Sequence, residues 1–162
     1  TPEYLAKKVQ AAEVKLIMIA VLVHPLLILG GTALFAAPPW GQSVVGNPGR
    51  RGFAEILYEF SSCAANNGSA LGGLASNTTP FNVVEGFVML FARFVPIAMP
   101  LAAAGMLSAK PAAPETVGTF RSDTALFGAL LVFVVILVGA LLFFPFAALG
   151  PIAEHLVSLH PG

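Results

Sequence analysis

Between two apolar runs the chain places Ala64-Ala65-Asn66-Asn67-Gly68-Ser69-Ala70, a stretch of small and polar residues followed by Gly72-Gly73. The chemistry such a stretch offers lies in its main chain. Small neighbours let backbone carbonyl oxygens approach a common axis, and Gly68 takes unusual backbone angles without a Cβ penalty. Carbonyls arranged that way replace the water shell of a cation, whereas an ordinary polar loop between two apolar segments asks nothing of them. Arg93 is the second informative residue, because it interrupts an apolar run in which an ionised side chain is costly. The remaining polar candidates are weaker. Glu55 sits in the first turn of a short helical pattern, where a helix-dipole partner is commoner than an ion ligand. Glu59, Glu85 and Cys63 are read as groups that pair with arginine or face water. His24 precedes Pro25 with no second His or Cys at ligand spacing, so no transition-metal site is expected. No base is placed beside Ser61, Ser62 or Ser69, so a serine hydrolase using His24 is a poor reading and no catalytic residue is assigned.

Composition explains what must hold these residues. The chain is 57% hydrophobic and 10% charged, against about a quarter charged in ordinary soluble domains. Too few ionic groups are present to coat a soluble surface, and lipid is the expected solvent. Charges are absent between Lys15 and Arg50, between Arg93 and Lys110, and between Asp123 and Glu154. The first and last gaps exceed the roughly 20 residues that cross a hydrocarbon layer. Balanced charge gives no sign of a nucleic-acid partner, and the single Cys63 excludes an internal disulfide. No signal peptide is visible, and Thr1 stands where an initiator Met is expected, which points to a piece of something longer.

The pattern predicts an all-α integral membrane fold: one membrane-pore-membrane repeat over residues 1–109, a loop at 110–123, and a final transmembrane helix with a short tail at 124–162. Within the repeat, a first span covers 14–37, kinked near His24 by Pro25 and stopped by Pro38-Pro39 ahead of an interfacial Trp40. A half-helix at 52–63 places Phe53, Ile56, Leu57 and Phe60 on one side. A filter-like segment at 64–70 follows, and a second span, 81–107, contains Arg93, Pro96 and Pro100. The last span runs over 124–149, ended by Gly150-Pro151, with Phe133, Phe143, Phe144 and Phe146 as lipid-facing or packing groups. Lys7, Lys8 and Lys15, with Lys110 and Arg121, put the N-terminus and the 110–123 loop in the cytoplasm, while Arg50 and Arg51 dissent. The C-terminus is then extracytoplasmic, with Glu154 and His155 as capping or interface groups. Non-helical backbone at membrane depth survives only where it is buried in protein or lines a watery path.

Four separated motifs carry a family resemblance. Gly52-Phe53-Ala54-Glu55-Ile56-Leu57-Tyr58, Asn66-Asn67-Gly68-Ser69-Ala70-Leu71, Arg93-Phe94 and Ala148-Leu149-Gly150-Pro151-Ile152-Ala153-Glu154 stand in order with fitting spacing. The chain resembles the potassium-binding A subunits of the bacterial Kdp potassium-transporting ATPases. That resemblance implies four membrane-pore-membrane repeats, of which this chain corresponds to the C-terminal third: the fourth repeat and the final helix. It implies K+ as the transported ion, bound from the extracytoplasmic side by Asn66, Asn67, Gly68 and Ser69, mostly through backbone carbonyls. It implies a gating or coupling role for Arg93, with pairing to an acid of a missing repeat as the alternative. Glu59, Glu85 and Cys63 lie outside the family pattern. The implied surroundings are the bacterial inner membrane and its lipid, the three missing repeats, an ATP-hydrolysing P-type subunit and small accessory subunits. No organic cofactor is expected. The chain carries neither a phosphate-binding glycine loop nor an Asp-Lys-Thr-Gly-Thr motif, so ATP hydrolysis is expected elsewhere. A stand-alone homotetrameric K+ channel, or a Trk/Ktr-like transporter, is the alternative.

Overall fold

The computed structural model describes residues 3–47, 49–114, 118 and 123–159; in the last helix, side chains are described up to 140 and at 152, 155, 156, 158 and 159. Arg121 and the side chains of Phe143, Phe144, Phe146 and Glu154 lie outside the described residues. The chain is mostly helical and divides into two units, Val9–Pro111 and Thr1–Lys8 with Ala112–Gly162.

The larger unit is built on α1 (Ala11–Ala36), the short α2 (Pro39–Gln42), α3 (Arg50–Ala65) and α4 (Thr79–Ser108). The first of these starts where the Gln10 backbone N–H donates to the Glu13 carboxylate at 2.8 Å. Its end comes just before Pro38, which has no N–H to continue the backbone ladder and is itself extended at φ −85° and ψ 149°. Lys110, just past the end of α4, forms an ion pair with Glu13 at 2.8 Å. The start of α1 and the end of α4 therefore meet, and the two long helices run antiparallel. Both are long and apolar enough to cross a membrane. Their outward side chains, among them Leu26, Leu29, Phe87, Phe94 and Leu101, are exposed. A surface this apolar requires an apolar environment or a protein partner.

The core lies at the opposite end, where α3 wedges between the end of α1 and the start of α4. Phe35, Ile56, Phe60, Ala64, Phe81, Val88 and Ala92 form it. The Phe35 ring centre lies 4.0 Å from that of Phe81 and 5.3 Å from that of Phe60, and Trp40 meets it edge-on at 5.1 Å. Gly31 completes the fit: a Cβ there would collide with the Phe60 ring, so α1 reaches α3 only because residue 31 lacks one.

Several boundaries differ from the expected ones. The half-helix expected at 52–63 runs from Arg50 to Ala65, and α4 is unbroken across Pro96 and Pro100. The buried face of α3 is also rotated. Phe53 is 51% exposed, whereas Gly52, Glu55, Ile56, Glu59 and Phe60 are buried. Hydrophobicity alone misplaces that face because Gly52 packs against residues 45 and 47 and Glu55 finds polar partners inside.

The smaller unit contains a hairpin of β1 (Glu3–Tyr4) and β2 (Lys7–Lys8), paired Glu3 to Lys8 and Tyr4 to Lys7. Leu5 and Ala6 turn it with φ of 50° and 58°, the left-handed angles that suit the twist of a two-residue hairpin. The Ala113 N–H donates to the Ala6 carbonyl at 2.6 Å. α5 (Ala125–Leu159) starts at Thr124, whose hydroxyl accepts from the Phe127 N–H at 3.2 Å. It does not stop at Gly150-Pro151, but continues to Leu159. One proline removes one backbone donor, and here the helix carries on past the gap.

Candidate functional site

The segment after α3 is positioned from both sides. On one side, the Glu55 carboxylate reaches back to the loop before its own helix. It accepts from the Gly46 N–H at 2.8 Å and from the Asn47 side-chain amide at 2.5 Å. On the other, the Ala75 N–H donates to the Val44 carbonyl at 2.8 Å. The chain entering α3 is thus tied to the chain leaving it, with Phe60 holding the helix between them.

The helix ends at Asn66, which adopts a left-handed conformation with φ 55° and ψ 34°. Its N–H bonds the Cys63 carbonyl at 3.0 Å, and the Asn67 N–H bonds that of Ser62 at 3.3 Å, so the last turn is closed from outside. The chain then leaves in non-helical conformation, and Gly68 has φ +73° with nothing within 4 Å of where a Cβ would stand. Its constraint is one of backbone angle, not of room.

Asn67 organises this turn. Its Oδ1 accepts from the Ser69 N–H at 2.9 Å, from the Ser69 hydroxyl at 2.8 Å and from the Ser62 hydroxyl at 2.7 Å. The first of these is an Asx turn, a side chain standing in for a backbone carbonyl. Tyr58, one turn before Ser62, adds its hydroxyl 2.8 Å from that of Ser69. The four-residue segment is therefore braced by side chains of its own preceding helix. With its oxygen committed three times, the Asn67 side chain is no free ligand, and the oxygens left uncommitted here are main-chain carbonyls and the Asn66 Oδ1. The C-terminal end of α3, where the helix dipole is negative, adjoins the same segment.

Asn66 also reaches across to α4, its side-chain amide 3.4 Å from the Met89 carbonyl. Arg93 lies one helical turn beyond Met89, about 21 Å along the helix axis from Thr79. Ala92 is buried, whereas Arg93 is exposed, and among the described residues Arg93 has no ion-pair partner. The structure thus brings Asn66, Asn67, Gly68 and Ser69 into one braced turn and sets Arg93 one turn past its contact with α4.

Other residues go elsewhere. Glu55 is 4% exposed and committed to residues 46 and 47. Ser61 bonds the Leu57 carbonyl at 2.7 Å, and among the described residues no hydrogen bond joins His24 to Ser61, Ser62 or Ser69. His155 is exposed. Glu59, Cys63 and Glu85, unremarkable in the sequence, converge. Residues 59 and 63 are one helical turn apart, which is a visible signal, but nothing in the chain announces that α4 delivers Glu85 to them.

Residues 1–156 match the family described as KdpA, potassium-transporting ATPase A subunit. The chain is 53% identical over 159 residues to the potassium-transporting ATPase potassium-binding subunit of Brucella anthropi, covering 98% of this chain and 28% of that protein. Against proteins of the same description from Caldanaerobacter subterraneus and Alicyclobacillus acidocaldarius it is 51% and 53% identical over 156 residues. In both cases 96% of this chain is covered, and the chain spans 28% of the relative's length.

Proposed function

The chain belongs to the KdpA family of potassium-transporting ATPase A subunits, and from that premise we propose that residues 66–69 form one wall of a potassium-binding filter. In this reading α1 and α4 span the membrane, α3 is a re-entrant half-helix, and residues 1–109 make one membrane-pore-membrane repeat. It is the fourth repeat of the full subunit, and α5 is an added transmembrane helix in its C-terminal third. Three further repeats supply the other walls. The relatives are named as potassium-binding subunits of potassium-transporting ATPases, and K+ is accordingly the ion. An ATP-hydrolysing P-type subunit with small accessory subunits supplies the energy, and the bacterial inner membrane and its lipid surround the helices.

The observation that carries the proposal is the committed side chain of Asn67. A cation losing its water needs several oxygens held at fixed separation. Here the side chains of Tyr58, Ser62, Asn67 and Ser69 bond one another, and the carbonyls of a turn containing Asn66 and Gly68 at positive φ are left for the ion. The negative end of α3 favours a cation beside it. The exposed face of residues 66–69 is where the other repeats would close the site. Arg93, near mid-span of α4 and one turn past the Asn66 contact, serves as an electrostatic gate or coupling element on the inner side of the filter. The lysines at residues 7, 8, 15 and 110 put the end where α1 begins and α4 finishes in the cytoplasm, with K+ entering from the other side and the C-terminus extracytoplasmic.

The test is K+ uptake by the full-length subunit with its ATPase partners, in cells without other high-affinity uptake. Asn67→Ala removes the acceptor of three hydrogen bonds and should abolish growth at low external K+ while preserving it at high K+. Growth at low K+ equal to the parent's would overturn the assignment.

A further inference from the structure

Glu59 and Cys63 on α3 and Glu85 in the second turn of α4 have no part in the braced turn. One carboxylate oxygen from each Glu and the Cys63 sulfur all lie within 4.8 Å of one another. Glu59 is 7% exposed, and its Oε2 is buried without a hydrogen-bond partner. Oε1 of Glu85 is likewise buried and unpartnered. Neither carboxylate is in an ion pair among the described residues.

Buried carboxylates side by side without a cation are an unusual arrangement, because each loses its water and meets a like charge. A bound cation removes both penalties. Potassium, magnesium and calcium select all-oxygen cages, whereas two carboxylates with a thiol suit a borderline ion such as zinc. Three protein ligands leave the fourth tetrahedral position to a water. Glu85 is only partly buried and gives the entry path.

We propose that Glu59, Cys63 and Glu85 form a binding site for a divalent transition-metal ion of the zinc class, clamping α3 to α4. The ion binds as the Cys63 thiol gives its proton to solvent, so that thiolate and two carboxylates face the metal. The carbonyl of the same Cys63 accepts from the Asn66 N–H at 3.0 Å. The clamp therefore sits directly behind the turn at 66–69, but its existence does not depend on what that turn binds.

The experiment is titration of the chelator-stripped full-length protein, in its complex, with Zn2+ alone and separately with Co2+. One Zn2+ should bind per chain, and the Co2+ form should show a thiolate-to-cobalt charge-transfer band. Cys63→Ser should lose that band. Glu59→Gln and Glu85→Gln should each weaken Zn2+ binding by more than the roughly 10–100-fold that a lost outer-shell partner costs. Cys63→Ser changes one atom, and elution of the intact complex checks that it folds. Zn2+ isotherms that coincide for the parent and all three variants, or a parent without a Cys63-dependent cobalt band, would overturn the site.

Discussion

Gly68 is the residue at which the filter proposal is most exposed to test, because its requirement is purely conformational. It holds φ +73°, and a Cβ added there meets nothing within 4 Å, so bulk by itself costs little. An alanine in left-handed geometry loses about 1–2 kcal/mol, and a β-branched residue reaches the upper part of the roughly 1–3 kcal/mol assigned to such strain. Asparagine tolerates that region and should lose least. A variant that relaxes to negative φ re-aims the carbonyls on either side, so the strain reappears as lost K+ affinity. A loss of 1–3 kcal/mol corresponds to about 5- to 150-fold. The apparent K+ constant, read from K+-stimulated ATP hydrolysis by the purified full complex, should rise in the order Gly68→Asn, Gly68→Ala, Gly68→Val. Two results would rule out a conformational requirement at residue 68. One is a valine variant with the parent's K+ dependence. The other is a loss that follows side-chain volume, with asparagine as damaging as valine.

The core and the supports make further predictions. Phe60→Ala should destabilise the full-length protein by about 3–5 kcal/mol in thermal or denaturant unfolding. Gly31→Ala should cost about 1–3 kcal/mol through overpacking, and much less when combined with Phe60→Ala; additive effects would contradict the close contact. Glu55→Ala leaves the Gly46 N–H without its acceptor and should cost about 1–3 kcal/mol, lowering K+ affinity without any ligand being removed; unchanged affinity and stability would show that the loop does not depend on it. Arg93→Gln should keep K+ binding but change the ratio of K+ moved to ATP hydrolysed, measured in proteoliposomes. A parent-like ratio would restrict Arg93 to structural pairing.

The helices were readable because their apolar runs are long and uncharged, and Pro38-Pro39 and Pro80 mark where the chain turns. Their ends were less so. Hydrophobic spacing omits Arg50 and Arg51, polar residues that nevertheless open α3, and Gly150-Pro151 reads as a stop that a continuing helix overrides. The stretch Asn66 to Ser69 stands out by its small polar residues, but the commitment of the Asn67 side chain to Ser62 and Ser69 is a property of three-dimensional approach. Glu55 illustrates the same limit: its position suggests a helix-dipole partner, and only the fold shows it fastening Gly46 and Asn47. Glu59 and Glu85, 26 positions apart in the chain, meet only because α3 leans on α4.

A structure of the full subunit in its complex, soaked with the heavier congener Rb+ and read by anomalous scattering, would locate the ion relative to residues 66–69. A filter wall at 66–69 puts an ion peak on the open side of that turn, within coordination distance of its backbone carbonyls and outside the hydrogen-bonded cluster of Ser62, Asn67 and Ser69. Rb+ peaks elsewhere in the membrane-embedded subunit, with none touching a main-chain oxygen of residues 66–69, would contradict that assignment.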